Sequence, residues 1–182
     1  MLSFNVSGLL RAAPGTKRTY PVNVDELPLA PELQLVAPVR GEVRLTKTGR
    51  SILAAANLDT AIAEQCSRCL TPISSPVHVT FQEEALPSID LETGQPLDMS
   101  EEPDALRLDE HHELHLEGPV ADAISLAEPI AALCRPDCRG LCTTCGADLN
   151  ADAAHGHDEE AVDPRFAALA NWRPDSGTPE PN

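Results

Sequence analysis

The stretch Val36-Ala37-Pro38-Val39-Arg40-Gly41-Glu42-Val43-Arg44-Leu45-Thr46-Lys47-Thr48 decides the fold. Val39, Gly41, Val43 and Leu45 fall on one side of an extended chain, and Arg40, Glu42, Arg44 and Thr46 on the other. A period of two is the mark of a half-buried strand. Thr48-Gly49 then supplies a turn, and Ile52 to Ile62 gives a second extended run, although Ala54-Ala55-Ala56 would also tolerate helix. Beyond Cys66-Ser67-Arg68-Cys69, the segment Val77-His78-Val79-Thr80-Phe81 alternates again. Upstream, Phe4 to Leu9 is a short alternating piece, and Pro14-Gly15 punctuates a loop before Arg18 to Val24. Several short strands separated by turn signals predict an α+β protein that is mainly antiparallel β-sheet or a partly open barrel. A few short helices and a C-terminal zinc-binding segment complete the expected fold.

Composition agrees. The chain has 182 residues, and its 17 Pro and 10 Gly interrupt elements too often for a helical bundle. Aromatic residues are only 3%, so the core must be built from Leu, Val, Ile and Ala. Thirteen Lys+Arg against 29 Asp+Glu leave a net charge of −16, which excludes a protein that coats nucleic acid by bulk charge. The longest run without Asp, Glu, Lys or Arg is the 14 residues Cys69 to Gln82, interrupted by Pro72 and Pro76. A spanning helix needs roughly 20 apolar residues. Met1 to Arg11 lacks the basic and apolar regions of a signal peptide, so the chain is expected in the cytoplasm.

Residues 1–118 are expected to form the β-rich domain, with an acidic loop at about 83–105. Glu83 to Glu117 carries twelve acids and one base, Arg107, and its prolines and glycine break any period. Leu106, Leu108, Leu114 and Leu116 resume alternation. Residues 119–173 are read as a helix opening at Pro119, with Val120, Ala123, Ile124 and Ala127 on one face, then the zinc-binding segment and a closing helix. That last helix would start at Asp163-Pro164-Arg165 and pack Phe166, Leu169, Ala170 and Trp172 on its own domain. Residues 174–182 read as a disordered tail.

The chemistry lies in six cysteines: Cys66-x2-Cys69, then Cys134-x3-Cys138-x3-Cys142-x2-Cys145. In a reducing compartment such clusters are metal ligands more often than disulfides. A C-x2-C turn aims two thiolates at one zinc, and a tetrahedral site then needs two more ligands. Gly146 after Cys145 suits the positive-φ position of a zinc knuckle, whereas Leu70 after Cys69 weakens the first pair as a signal. Two partitions are open. One takes Cys134, Cys138, Cys142 and Cys145 as a single site and leaves Cys66 and Cys69 free. The other joins Cys66 and Cys69 to Cys134 and Cys138, and gives Cys142 and Cys145 the imidazoles of His155 and His157. The second uses every cysteine and is preferred, so one or two structural zinc ions are expected.

Other motifs are weaker. His111-His112-Glu113-Leu114-His115 is one residue too short for H-E-x-x-H, and in a strand His111, Glu113 and His115 would share the solvent face. Cys66 and Cys69 lie between strands, not at the helix N-terminus that a redox pair favours. Arg40, Arg44, Lys47 and Arg50 make residues 1–50 the most basic stretch, with seven bases and four acids.

Cys66-Ser67-Arg68-Cys69-Leu70 after a β-rich segment resembles the "C-x-R-C-L" element of the YceD family of large ribosomal RNA subunit accumulation proteins. Leu133 to Asn150 is similar to that family's C-terminal cysteine signature, and Asp163-Pro164-Arg165 to its closing motif. The resemblance implies a bacterial or organellar protein supporting accumulation of large-subunit ribosomal RNA, without known catalytic activity. It also implies a gene beside that of a small zinc-ribbon ribosomal protein, and relatives with cysteines where His155 and His157 stand. Relatives that lack the later cysteine pair would make the second site dispensable.

The function expected from all this is a non-enzymatic ribosome-biogenesis factor with structural zinc. Its partner would be large-subunit ribosomal RNA or its precursor, direct or indirect, and a basic ribosomal protein, with no membrane. The rival readings are a metal-dependent RNA hydrolase, which would need Glu83 and Glu84 to meet His111 and Glu113, and a thiol redox or metal-handling protein.

Overall fold

The computed structural model describes residues 2–31, 33–98, 105–152, 154–157, 165, 166, 169 and 172. Five strands form the main sheet in the order β2-β3-β4-β5-β6. They are β2 (Lys17–Val24), β3 (Leu35–Thr48), β4 (Ser51–Gln65), β5 (Pro72–Leu86) and β6 (Leu106–Arg107). All neighbours are antiparallel except β5 and β6, which run parallel. Among the described residues β2 and β6 remain as edges, so the sheet does not close into a barrel. Pro21 sits in β2, where an edge strand tolerates a missing N–H. A second, two-stranded sheet pairs β1 (Ser3–Asn5) with β7 (Glu113–His115).

The alternation expected through Leu9 stops at Asn5. Asn5 Oδ1 accepts hydrogen bonds from the Ser7 N–H at 3.2 Å and its hydroxyl at 2.6 Å, turning the chain into the short helix α1 (Ser7–Leu10). The helix expected at Pro119 is α2 (Glu117–Leu126), with Pro119 in its first turn. Its Val120 and Ile124 are buried, and it ends at Ala127, ahead of Pro129.

One face of the main sheet carries the core. Val39, Val43 and Leu45 from β3, Ile52, Leu58 and Ile62 from β4, and Val77 and Val79 from β5 are buried there with Leu9, Leu114, Leu116, Val120 and Ile124. Ala54-Ala55-Ala56 is strand, because both its neighbours pair with it along their length. Gly41 follows two shifts in the β3–β4 register and has φ 146°. A Cβ there would lie 2.1 Å from the Asn57 carbonyl oxygen, so no other residue fits without parting the strands.

One sequence expectation changes. Glu83 and Glu84 belong to β5, which pairs with β4 from Gln65↔Pro72 to Ile52↔Ala85, so the acidic loop begins only after Leu86. The following turn is ordered: Asp90 Oδ1 accepts the N–H of Glu92 and both the N–H and hydroxyl of Thr93, and Ile89 bridges Pro96. Residues 99–104 lie outside the described residues. The four basic residues of β3 and its hairpin differ in exposure. Arg40, Arg44 and Arg50 are exposed, while Lys47 has the parity of Val43 and Leu45 and is buried.

The chain divides into two compact units, Met1–Cys138 and Arg139–Asn182. Among the described residues of the second, Phe166, Leu169 and Trp172 are exposed, so the expected packing of that stripe is not found. Asp163, Pro164, Ala170 and the 174–182 tail lie outside the described residues. No helix among the described residues is long and apolar enough to cross a membrane.

Candidate metal centre

β4 ends at Gln65 and β5 begins at Pro72, so the turn joining the two longest strands is the first C-x2-C segment itself. The Cys66 N–H donates to the Thr71 carbonyl at 2.9 Å, and the Leu70 N–H donates back to the Cys66 carbonyl at 2.9 Å. The second segment repeats this loop. The Cys142 N–H donates to the Ala147 carbonyl at 2.8 Å, and the Gly146 N–H to the Cys142 carbonyl at 2.8 Å. Leu70 has φ 60° where Gly146 has φ 74°. The residue read as weakening the first pair therefore adopts the left-handed conformation that glycine takes in the second. Such a conformation costs an ordinary side chain about 1–2 kcal/mol.

Cys66, Cys69, Cys134 and Cys138 converge in the first unit, and Cys142, Cys145, His155 and His157 in the second. In each group the candidate ligand atoms all lie within 4.8 Å of one another. This is the grouping of the partition that uses every cysteine. In the first group, Cys66 Sγ is 3.8 Å from Cys138 Sγ, and Cys69 Sγ is 3.7 Å from Cys134 Sγ. Four thiolates at about 2.3 Å from a zinc ion stand about 3.8 Å apart along a tetrahedron's edges. The spacing is thus that of a metal tetrahedron, far from the roughly 2.05 Å of a disulfide. In the second group, Cys145 Sγ is 3.2 Å from His155 Nε2, which is 3.0 Å from His157 Nε2. The corresponding edges at ordinary zinc distances are about 3.6 Å and 3.3 Å, so a few tenths of an ångström separate this arrangement from a ligated one.

The two residues between Cys66 and Cys69 fasten the knuckle to the segment that supplies the other thiols. Ser67 donates its N–H and its hydroxyl to the Ala132 carbonyl at 2.8 Å and 3.0 Å. Arg68 donates from its guanidinium to the Cys138 carbonyl at 2.7 Å. Contacts of this kind hold metal ligands in position. Sequence spacing gave no sign of either role.

Backbone N–H groups lower the pKa of the leading thiol of each knuckle. Backbone N–H groups, first that of Cys134 and then that of Cys69, bring Cys66 down to about 6. The N–H groups of Cys145 and Thr144 bring Cys142 down to about 6 in the same way. Cys69 is lowered chiefly by the Thr71 hydroxyl and N–H. Cys134 is pushed up to about 12 by desolvation of its sulfur and then by the neighbouring thiols. Thiolate donors backed by N–H groups, completing four-donor sets, are the chemistry of closed structural zinc sites. Both groups can hold such an ion.

A third group, Asp109, Glu113 and His115, also offers three candidate donors. Its contacts are those of a turn. Asp109 Oδ1 accepts the N–H groups of His111 and Glu113 at 2.8 Å each, Oδ2 meets His115 at 3.2 Å, and Glu113 accepts the Ser3 hydroxyl at 2.8 Å. β7 starts only at Glu113, so His111 lies in that turn and not on a common strand face with Glu113 and His115. Glu84 accepts a hydrogen bond from Ser51, and Glu83 and Glu84 join neither His111 nor Glu113 in any metal-capable group among the described residues.

Residues 54–172 match the family described as Large ribosomal RNA subunit accumulation protein YceD. The chain belongs to the YceD family. The match takes in both knuckles and all eight candidate ligands. Membership of the YceD family suggests a role in large ribosomal RNA subunit accumulation. Uncharacterized proteins of Mycobacterium tuberculosis (strain H37Rv) and Mycobacterium bovis are each 30% identical over 152 residues, covering 80% of this chain and 70% of theirs. One of Mycobacterium leprae is 30% identical over 135 residues, covering 74% of this chain and 59% of its own. No solved structure matches.

Proposed function

We propose that this chain is a non-enzymatic ribosome-biogenesis factor that supports accumulation or processing of large-subunit ribosomal RNA, with two structural zinc ions. One observation carries the reading: every cysteine, with His155 and His157, falls in one of two four-donor groups, the first at tetrahedral spacing and the second within a few tenths of an ångström of it. A fourfold protein set leaves no position for an activated water, so each zinc would act as a cross-link. In the first unit Cys66 and Cys69 would tie the β4–β5 turn to the segment after α2. In the second, the ion would close a loop too short to bury a core. Redox cycling is disfavoured because each thiol already has its place in such a group.

The partner follows from charge. At −16 the surface favours a basic protein, such as a ribosomal protein, over bare RNA. The expected location is the cytoplasm, where ribosomes are assembled. The test is a strain lacking this gene, in which large-subunit ribosomal RNA is measured against small-subunit RNA. The ratio should fall, the wild-type gene should restore it, and Cys66→Ser with Cys138→Ser should not. An unchanged ratio in the deletion strain, or RNA cleavage by the purified zinc-loaded protein, would contradict the proposal.

A further inference from the structure

β5 is an edge strand for most of its length. One side pairs with β4 over residues 72–85, whereas β6 meets the other side only at Ala85 and Leu86. Among the described residues no strand pairs with that other side over residues 72–84. Alternate residues of an antiparallel strand turn their N–H and C=O groups to each side, so a row of them faces outward here. The far edge of the sheet, β2, carries residues that discourage a further strand: Lys17, Arg18 and Pro21. The segment Val77-His78-Val79-Thr80-Phe81 of β5 carries no lysine, arginine or proline and consists mostly of residues that favour a strand.

A groove of about 300 Å³ runs beside this edge. One wall is the four consecutive residues His78, Val79, Thr80 and Phe81. A sheet face would contribute every second residue, so four in a row place the groove along the edge of the strand. The other wall is Ala123, Leu126 and Ala127 at the end of α2, and Leu126 is 87% exposed. An open strand edge beside an apolar helix flank suits an added strand, held by backbone hydrogen bonds with alternate side chains entering the groove.

Charge selects what fits. Neither β5 nor α2 contains a lysine or arginine. Glu83 continues the parity of Val79 and Phe81 and is exposed, as are Asp122 and Glu128 on the helix side. His78 is already met by Asp59 at 2.8 Å. The arginines of the neighbouring strands stand outside the groove, Arg107 opposite Leu86 past its end and Arg40 and Arg44 on β3, two strands in. A second copy of this chain would bring its own charge of −16 to the same place, which opposes self-pairing.

We propose that the β5 edge binds an extended segment of a partner protein, added as a further strand along residues 77–84, whose apolar side chains enter the groove against Phe81, Ala123 and Leu126 and whose lysines or arginines meet Glu83, Asp122 and Glu128. It rests on the reading of a basic protein partner and specifies where that partner docks. The zinc ions play no part in it.

The test titrates full-length, zinc-loaded, nitrogen-15-labelled protein with a capped heptapeptide of alternating lysine and valine, and separately with its glutamate–valine counterpart. The lysine peptide should give saturable amide shifts confined to residues 77–86 and 120–128, with a dissociation constant of about 0.1–1 mM. Hydrogen exchange should slow at alternate amides of residues 77–84, which binding to a sheet face would not produce. Leu126→Ala, and Asp122→Lys with Glu128→Lys, all at exposed positions, should each weaken binding several-fold. Four results would overturn the proposal: no saturable shift, equal binding of the glutamate peptide, shifts without alternate protection, or concentration-dependent shifts of the same residues in the protein alone, which would assign the edge to a second copy. A lowered ribosomal RNA ratio in the deletion strain alongside a peptide that does not bind would remove this inference and leave the wider reading standing.

Discussion

Replacing Arg68 is the sharpest probe of how the first cysteine group is held. Its guanidinium reaches the carbonyl of Cys138, the most distant ligand in sequence, at 2.7 Å. A hydrogen bond from a charged donor contributes about 1.5–3 kcal/mol, and the exposure of Arg68 puts it near the lower end. A zinc ion with four thiolates carries a net charge of −2, so the cation also offsets charge beside the site. Arg68→Ala should therefore cost about 1–2 kcal/mol of metal binding, or roughly 5–30-fold in affinity. The second knuckle is an internal control, because Thr144 stands where Arg68 does and the two loops share their backbone hydrogen bonds. Competition with a chromophoric chelator should show one zinc released early and the other unchanged. Arg68→Lys, keeping the charge but not the forked donor, should fall between. Equal weakening of both ions, or a change below about twofold in the first, would refute the assignment of Arg68 as the clasp.

Other outcomes follow from the same geometry. Gly41→Ala must part β3 from β4 around Asn57 and force an L residue to φ 146°, so urea unfolding should show a loss of at least about 3 kcal/mol. Gly49→Ala, where the added methyl meets nothing within 4 Å, should lose only about 1 kcal/mol. His155→Ala should release one zinc and leave the melting of the first unit, followed through β-sheet circular dichroism, unchanged. Asp109 is held below the usual carboxylate range, first by the Glu113 N–H and also by His115 and the His111 N–H. Its folded pKa lies below its unfolded one, so its contribution is present above about pH 4 and lost as pH falls through the depressed value. Asp109→Ala should cost about 1–2 kcal/mol at pH 7, and that difference should shrink toward zero below pH 3, as thermal melts across pH would show.

The long strands were legible because period two survives in Val39 to Leu45 and in Val77 to Phe81, and because Thr48-Gly49 marks their hairpin. The same parity also held the burial of Lys47, which is even-spaced from Val43 and Leu45 and odd-spaced from Arg44. The ends of β5 were not legible, since Glu83 and Glu84 are poor strand formers and are strand only because β4 pairs with them. Both metal-capable groups could be read from spacing, yet the likeness of the two knuckles could not. Its signal is a positive φ, which glycine advertises at position 146 and leucine conceals at position 70. The clasps from Ser67 and Arg68 end on backbone carbonyls, which carry no residue identity for a sequence to reveal.

The central claim is that all six thiols serve two structural zinc ions. Native mass spectrometry of the freshly purified protein, with a free-thiol count on the same sample, tests it most directly. The account predicts two zinc ions per chain and no reactive thiol until both are chelated. One zinc with two freely reactive thiols at Cys66 and Cys69, or no zinc at all, would contradict it.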